Sequence, residues 1–291
     1  MKIGIIIATF NRKNLLSKLI INLNSIIIPN NTTINKIIVN DGSNDGTIEL
    51  LISNYNDLTI INGNGNWWWT KCMNEGFKKA IDLKNDYVLI LNDDIVLAPD
   101  YLKILIEDYN KLPKGSILGS SSISINKPHK IESAGSKKFI KWKLKFSPYY
   151  SGFKLVDDHF NGIYKTWTLS GRGTLIPVEV FNKIDFYDEK LIQYGSDDEF
   201  CIRANHNNIP VFISWNARVY NQTNLTSKGA VFKKEGLWIL IKSFFNKYSV
   251  NSIYKHIYLY KKYGYPILLP IYIIVVFLGT IKAYYFNYNR E

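Results

Sequence analysis

The chain of 291 residues is long enough to bury one large α/β core, with or without an appendage. With 46% apolar and 21% charged residues, its composition is typical of a globular protein and excludes an intrinsically disordered one. The net charge of +12 at pH 7 indicates an anionic partner, either a membrane surface or a nucleic acid.

The first part of the chain alternates short apolar runs with helical patterns. We predict strands at 2–8, 36–39, 58–61 and 87–91, and helices at 11–24, from about Thr47, and at 74–83. This alternation is typical of βαβ units and a parallel sheet, so the fold class is α/β with helices on both faces of the sheet.

The second part of the chain has a weaker pattern. We predict a strand at 117–125, an irregular and aromatic region at 127–165, ordered structure at 166–176, helices at 179–184 and 196–206, and a late strand at 211–213. A long region of weak pattern inside a domain is usually a functional loop region.

The last part of the chain carries most of the net positive charge. Residues 228–291 contain ten Lys and Arg against two Glu, and an uncharged stretch, 263–281, lies within it. That stretch is at the lower limit for spanning a bilayer, which favours a membrane surface over nucleic acid as the partner of residues 228–282. We expect a membrane anchor, with a re-entrant hairpin as one form, and a buried core helix is the alternative.

The expected location is the cytoplasm, on the inner face of the cell membrane. The chain enters its first predicted strand at once, so no signal peptide is expected. Cys72 and Cys201 show neither metal nor disulfide spacing, so reduced thiols are expected.

Two acidic side chains follow the fourth predicted strand, where Asn92, Asp93 and Asp94 end an apolar run. In open α/β sheets, ligands bind outside the carboxyl ends of the strands. Adjacent carboxylates at that edge suit a hard divalent cation. The alternative is a turn in which Asp94 or Asp100 caps the next helix.

Polar clusters also follow the first and second strands, at 8–12 and 40–47. Asp41 in the second cluster suits the imide N–H of a pyrimidine base, with a type I turn as the alternative. The chain has no GxGxxG or Walker sequence, so an acidic pocket here would bind a diphosphate only through a cation.

A further cluster precedes Arg203 and includes Asp188, Glu189 and the acids Asp197, Asp198 and Glu199. Acids at a helix start are favoured by the helix dipole, yet Asp197 also has the character of a general base. Upstream, Gly171 and Gly173 bracket Arg172, and glycine lets a backbone approach a ligand closely.

In this combination and order, the motifs resemble family 2 inverting glycosyltransferases, most closely the bacterial rhamnosyltransferase-like branch, over about residues 1–225. They are Ala8–Arg12, Asp41-Gly42-Ser43-x-Asp45-Gly46-Thr47, Leu91–Asp94, Gly171-x-Gly173, Asp188-Glu189 and Ser196-Asp197-x-Glu199-x-x-x-Arg203. The resemblance implies a GT-A fold, a UDP- or dTDP-sugar donor, and Mn²⁺ or Mg²⁺.

The resemblance also assigns roles to single positions. Thr9, Asn11 and Arg12 lie in the first nucleotide loop, and Asp41 lies where the family contacts the base. Asn92 and Asp94 fall on the first and last positions of the metal-binding motif, with Asp93 between them contacting the ribose or supporting the metal. Asp197 falls on the catalytic base.

Three positions depart from the family pattern. Asn92 replaces an acid, which leaves the metal mainly to Asp94. Ser196 stands where the family usually has Glu, which changes what orients the base. Asn221 stands where many members have His, so a ligand role there is in doubt.

Three successive tryptophans, at 67–69, cannot all face one core. We expect at least one to line the donor pocket, stacking on a sugar or base, with packing under the nucleotide loop as the alternative for Trp67 and Trp69. Asn66 and Lys71 lie nearby and are expected to meet the sugar or phosphates.

The expected domain organisation is a catalytic domain, 1–225, with a membrane-associating tail, 226–291. Within the domain, 1–115 would bind the nucleotide-sugar, and 116–225 would supply the catalytic base and acceptor side. The expected function is sugar transfer to a hydroxyl of a glycan or lipid-linked acceptor. The alternatives are a nucleotidyltransferase and a non-catalytic carbohydrate-binding relative.

Overall fold

A ten-stranded sheet forms the centre of the protein. The computed structural model describes residues 1–126, 128–150, 154–221 and 236–288. Its strands are β1 Lys2–Thr9, β2 Thr33–Asn40, β3 Leu58–Asn62, β4 Tyr87–Asn92, β5 Ile95–Leu97, β6 Ile117–Ser124, β7 Ile131–Ser133, β8 Ser136–Ile140, β9 Lys145–Pro148, β10 Ile163–Lys165, β11 Thr174–Pro177 and β12 Val211–Asn221. Its helices are α1 Lys13–Asn24, α2 Thr47–Asn54, α3 Trp68–Asp82, α4 Tyr101–Tyr109, α5 Val178–Ile184, α6 Ser196–His206, α7 Leu237–Phe245, α8 Ile253–Tyr263 and α9 Leu269–Tyr288.

The strand order is β10-β12-β6-β11-β4-β1-β2-β3, with β5 beside β12 and β7 beside β6. Strands β4, β1, β2 and β3 run parallel, and β11 is antiparallel to both of its neighbours, β4 and β6. The parallel strands place the ends of β1, β2 and β4 at one edge of the sheet, where the sequence analysis put its three polar clusters.

The core lies on both faces of this sheet, as the continuous apolar runs predict. Helices α1, α2 and α4 cover one face, where Leu16 and Leu105 are fully buried. Helices α3, α5 and α6 cover the other face, where Phe77 and Phe200 are buried.

Helix α6 has the predicted bounds, but other elements differ. Helix α3 begins at Trp68, upstream of the predicted start at residue 74. Strand β12 runs past the predicted end at 213, because it pairs with β6 along its length and with β5 near its end, with an irregular register between Ser214 and Arg218. The region predicted to be irregular contains the short strands β7 to β10.

The C-terminal helices differ in how they contact the rest of the chain. Helix α8 packs on the α/β body, where Leu259 and Tyr263 join a buried cluster with Leu191 and Ile202. The predicted domain boundary at 225/226 lies outside the described residues, and so do the lysines at 228, 233 and 234.

Helix α9 is the candidate membrane segment. Residues Pro266–Tyr285 have a mean hydropathy of 2.1 and are 6% buried, so by length and composition one helix of the described chain could cross a membrane. The alternative of a buried core helix is wrong, because this helix is exposed. A re-entrant hairpin is also wrong, because α9 continues unbroken from Leu269 to Tyr288.

Candidate active site

Asp93 lies in the turn between β4 and β5, held by two residues from the end of β1. The hydroxyl of Thr9 donates to one carboxylate oxygen at 3.0 Å, and Arg12 Nη1 donates to the other at 2.8 Å. Burial raises the pKa of Asp93, and the charge and hydrogen bond of Arg12 oppose that rise. Both oxygens of Asp93 are thus already bound within the protein.

Asp94 is different, because it is 1% exposed and neither carboxylate oxygen has a hydrogen-bond partner among the described residues. Its nearest cation is Arg12, with Nη1 at 3.6 Å from Oδ2. Asn92 Oδ1 is also buried without such a partner. A buried carboxylate without donors is costly unless a ligand completes it.

These oxygens fit the divalent cation that the resemblance implies. Mg²⁺ and Mn²⁺ favour carboxylate and carbonyl oxygens, and Mg²⁺ is usually held by one or two carboxylates plus substrate phosphates and water. Among the described residues there is no group of three or more His, Cys, Asp or Glu that could hold a metal. The geometry therefore favours Asp94 as the ligand and Asp93 as the residue that fixes Arg12 and Thr9.

The sequence analysis gave a turn with helix capping as the alternative to a metal site at Asp93 and Asp94, and the turn is confirmed. Asp93 and Asp94 do form a turn, since β4 ends at Asn92 and β5 begins at Ile95. Capping by acidic side chains is wrong, because Asp100 at the N-cap position of α4 makes no side-chain cap hydrogen bond. Strand β5 was missed because it is only three residues long.

Asn11 joins the loops that follow β1 and β2. Its backbone lies in the left-handed region, at φ 53°, which Asn tolerates better than most residues. Its side-chain oxygen accepts the N–H of Asn44 at 2.8 Å, and its own N–H donates to Ser43 Oγ at 2.9 Å. The structure thus gives Asn11 a role in holding the two loops together.

Asp41 organises the loop that leads into α3. Its carboxylate is 5% exposed and accepts backbone N–H groups from Gly65, Trp67 and Trp68 at 2.9–3.2 Å. Contact with a base N–H stays a prediction. Sequence reasoning missed this role because the donors are more than twenty residues away.

The three tryptophans separate, as their succession predicts. Trp67 and Trp69 are half-buried and pack against the core on the α3 face of the sheet. Trp68 instead stacks on Tyr248 of the C-terminal segment, with ring centroids 4.2 Å apart and planes at 17°. Its backbone is left-handed at φ 59°, a strained conformation for an aromatic residue.

Gly171 is close to an aromatic ring rather than to open space. A Cβ added there would lie 2.3 Å from Cζ2 of Trp69. The indole of Trp69 therefore lies where a side chain at residue 171 would lie, and close approach of the Gly171 backbone to a ligand stays a prediction. Its glycine identity follows from packing.

Asp197 lies in the first turn of α6, where the helix dipole favours a carboxylate. One of its oxygens accepts the N–H of Asp198 at 2.9 Å. The preceding Ser196 is fully buried, and its hydroxyl is 2.9 Å from that of Thr70 at the start of α3. This contact fixes the start of α6 at the position where the family pattern has Glu.

Asn221, the third departure from the family pattern, ends β12. Its Nδ2 donates to Glu132 at 2.8 Å, and its Oδ1 is buried without a partner in the described part of the chain.

Asn66 and Lys71, predicted to meet the donor, lie together with Trp67 in the wall of one cleft. Other walls of the cleft come from the segment before α6 and from the connection between α7 and α8, which sequence reasoning did not include.

A second buried carboxylate, Glu199, joins α6 to α8. It is fully buried and accepts hydrogen bonds from Arg203 at 2.8 and 3.0 Å, Lys262 at 2.9 Å and Tyr263 at 2.5 Å. Lys262 also bonds Asp188 at 3.0 Å. Burial raises the pKa of Glu199, but Arg203, Tyr263 and Lys262 outweigh burial and hold it below its ordinary value.

The sequence model for "Glycosyl transferase family 2" matches residues 4–184, more than half of the chain. The chain belongs to this family. The matched region contains the ends of β1, β2 and β4 with Asp41, Asp93 and Asp94, while Asp197 lies beyond it.

Known relatives and structures support the family and the fold. Poly-beta-1,6-N-acetyl-D-glucosamine synthase of Staphylococcus aureus (strain COL) is 34% identical over 90 residues, which cover 30% of this chain and 21% of that protein. The chain thus spans about a fifth of the length of that relative.

Two solved structures share the architecture. The structure of GalNAc-T7 with UDP, GalNAc and Mn²⁺ has a TM-score of 0.61 at 13% identity, covering 92% of this chain and 56% of that one. Mannosyltransferase PcManGT from Pyrobaculum calidifontis, in complex with GDP-Man and Mn²⁺, has a TM-score of 0.58 at 13% identity, covering 97% and 71%. The family 2 chain therefore has the predicted GT-A fold.

Proposed function

We propose that this chain is a metal-dependent, inverting glycosyltransferase of the hexosyl- or rhamnosyltransferase class. It moves a sugar from a UDP- or dTDP-sugar to a hydroxyl of a glycan or lipid-linked acceptor in cell-surface polysaccharide synthesis. The observation that carries the proposal is Asp94, whose buried carboxylate has no hydrogen-bond donor among the described residues at the ligand-binding edge of the sheet. The Mn²⁺ and nucleotide ligands named for the two similar structures support it.

In this mechanism, Asp94 would hold Mn²⁺ or Mg²⁺, and Arg12 and Thr9 keep the neighbouring Asp93 in place. When bound, the cation neutralises the negative charge that develops on the departing nucleoside diphosphate. Asp197 takes the proton from the acceptor hydroxyl as that oxygen attacks the anomeric carbon. A single displacement inverts the configuration there.

The first experiment measures release of nucleoside diphosphate from a panel of UDP- and dTDP-sugars, using the purified full chain with Mn²⁺, Mg²⁺ or EDTA. We expect release with one class of donor and none with EDTA. Asp197→Asn should lower kcat by about 10²–10⁴-fold, because it removes the general base. Asp94→Ala should lower both turnover and Mn²⁺ affinity.

Matched controls are Asp100→Asn and Asp158→Asn, two exposed aspartates that should leave turnover unchanged. Turnover that survives both Asp94→Ala and Asp197→Asn would contradict the assigned roles. Failure to release any nucleoside diphosphate would favour the non-catalytic carbohydrate-binding alternative.

We also propose that α9 attaches the enzyme to the cytoplasmic face of the membrane. Ile271 is 61% exposed and Leu278 is 59% exposed, and exposed apolar side chains along a helix suit a bilayer. Flotation with phosphatidylglycerol vesicles should recover the full chain, and Ile274→Asp with Leu278→Asp should abolish recovery. Equal recovery of the double variant would contradict this proposal.

A further inference from the structure

A cleft of about 220 Å³ opens where three distant parts of the chain meet. One wall is the segment at the start of α3, another precedes α6, and the third comes from the connection between α7 and α8. The lining residues are Asn66, Trp67, Thr70, Lys71, Glu189, Ile192, Lys247 and Tyr248. The C-terminal segment, which the sequence analysis treated as a membrane tail, therefore completes a cleft of the catalytic domain.

Two lysines from different walls, Lys71 and Lys247, line this cleft. Lys71 Nζ lies 5.3 Å from the centroid of the Trp67 ring, and Lys247 Nζ lies 5.0 Å from that of the Tyr248 ring. Neither lysine forms a salt bridge with the described residues. The one carboxylate in the lining is Glu189, which accepts a hydrogen bond from Asn74 at 3.1 Å. The lining thus carries a net positive charge and is electrostatically suited to an anion.

The wall that carries Lys247 is held firmly in place. Tyr248 stacks on Trp68, and the backbone N–H of Trp68 donates to the buried Asp41 at 2.9 Å. Backbone strain such as that of Trp68 persists only where the surroundings over-determine it, and it clusters at ligand clamps. Lys247 therefore precedes a residue that packs on Trp68, and Trp68 is bound to Asp41, the residue predicted to meet the base of the donor.

We propose that this cleft binds a phosphate group of a substrate between Lys71 and Lys247. The diphosphate of a nucleotide-sugar carries two negative charges at neutral pH, one on each phosphate, and a phosphate monoester carries nearly two. Either charge can be neutralised by two ammonium groups, since lysine binds phosphate as a point charge. Two sources share this chemistry: the diphosphate of the nucleotide-sugar donor and the phosphate of a lipid-linked acceptor. The inference rests on the proposed function for the identity of these substrates.

Elements next to the cleft link it to the predicted donor site and to the candidate membrane helix. The start of α3 is tied to Asp41 and, through Thr70 and Ser196, to the helix that carries Asp197. The connection that carries Lys247 leads through α8 to α9, which packs on α8 through the stacked rings of Tyr260 and Tyr272, 4.0 Å apart. The cleft thus shares one wall with the predicted donor site and takes another from the segment that leads to the candidate membrane helix.

The test is calorimetric titration of the full chain in detergent with two probes. The donor arm uses UDP with Mn²⁺, and the acceptor arm uses farnesyl phosphate, with farnesol as the control that lacks the phosphate. Lys247→Met and Lys71→Met should each weaken one probe at least about 10-fold, since a hydrogen bond to a charged group is lost. Lys247→Arg should keep binding within a few-fold, and Lys242→Met, an exposed lysine of α7 outside the cleft lining, is the matched control.

Loss of UDP affinity in both methionine variants would assign the cleft to the donor phosphates. Loss of farnesyl phosphate affinity with unchanged farnesol binding would assign it to the acceptor phosphate. Wild-type affinity for both probes in Lys247→Met would overturn the inference, whatever Lys71→Met does. Because binding is read without turnover, a chain that binds these probes but releases no nucleoside diphosphate would sink the proposed function alone.

Discussion

Two buried carboxylates, Asp94 and Glu199, differ in how the protein treats them. Glu199 is fully buried and receives hydrogen bonds from Arg203, Lys262 and Tyr263. Asp94 is nearly as buried, yet neither of its oxygens receives a hydrogen bond from the described residues. The protein has compensated the charge of Glu199 from within and has left that of Asp94 to Arg12, 3.6 Å away.

The difference separates a carboxylate that holds the structure together from one that is available to a ligand. Burying an ionised group that receives no hydrogen bond is unfavourable, so a carboxylate at the ligand edge of a sheet with one ion pair at 3.6 Å and no donors suits a ligand that completes it. Glu199, which lies between α6 and α8 and already receives hydrogen bonds, needs no bound ligand. Substitutions at the two positions should therefore move different measurements.

The largest expected effect is on turnover. Asp94→Asn should lower kcat at saturating donor and Mn²⁺ by roughly 100-fold or more, equivalent to about 2.7 kcal/mol of lost transition-state stabilisation. The free energy of unfolding should stay close to that of wild type, because Asp94 receives no hydrogen bond from the described residues and Arg12 keeps its closer partner, Asp93. The nucleoside diphosphate assay measures kcat, and urea denaturation measures the free energy of unfolding. An Asp94→Asn variant that is less stable than wild type would contradict the contrast with Glu199.

Glu199→Gln should show the reverse pattern. It should lower the free energy of unfolding by about 3–5 kcal/mol, because Arg203 and Lys262 lose the charge that compensates them. Folded protein should keep the wild-type KM for the donor. Glu107→Gln is the control, since its side chain is 56% exposed. A free energy of unfolding equal to that of wild type in Glu199→Gln would show that the contacts of Glu199 with α6 and α8 do not stabilise the fold.

Lys262→Met tests the contact between Glu199 and α8 by changing the residue on α8. The side chain of Lys262 is 33% exposed, so its two charge-assisted hydrogen bonds are partly screened. We expect a loss of about 1–2 kcal/mol in the free energy of unfolding. The neighbouring exposed Lys261→Met should change it by less than about 0.5 kcal/mol. Equal effects in the two variants would contradict a specific bond to Glu199.

The smallest effect is a dependence on pH. The folded pKa of Glu199 lies below its ordinary value of 4.5, so its stabilisation is complete above that pH and is lost as pH falls through the folded pKa. The stability difference between wild type and Glu199→Gln should be constant from pH 7 to about 4.5 and shrink below it. Urea titrations at several pH values measure it, and a difference that stays constant below pH 4.5 would contradict the shift.

Local patterns predicted much of the fold and part of the candidate site. The runs that became β1 and β4 are apolar on both faces, and the polar residues that follow them, such as Thr9 and Asp93, do meet at one edge. Long-range contacts could not be predicted. The bond from Lys262 to Glu199 joins residues 63 positions apart, and Trp68 stacks on a residue far along the chain. The start of α3 was missed because three tryptophans give no helical signal.

The way α8 packs has a practical consequence for handling the protein. A truncation at the predicted boundary near residue 225 would remove Lys262, Tyr263 and Leu259, uncovering Glu199 and an apolar surface on α6. Such a fragment should express poorly and aggregate. A cut between Tyr263 and Pro266 would keep the contacts of Glu199 and would remove the mostly exposed apolar helix, although it would also remove Tyr272, which stacks on Tyr260. We propose that position, with Tyr260 replaced by a smaller polar residue, as the better end for a fragment.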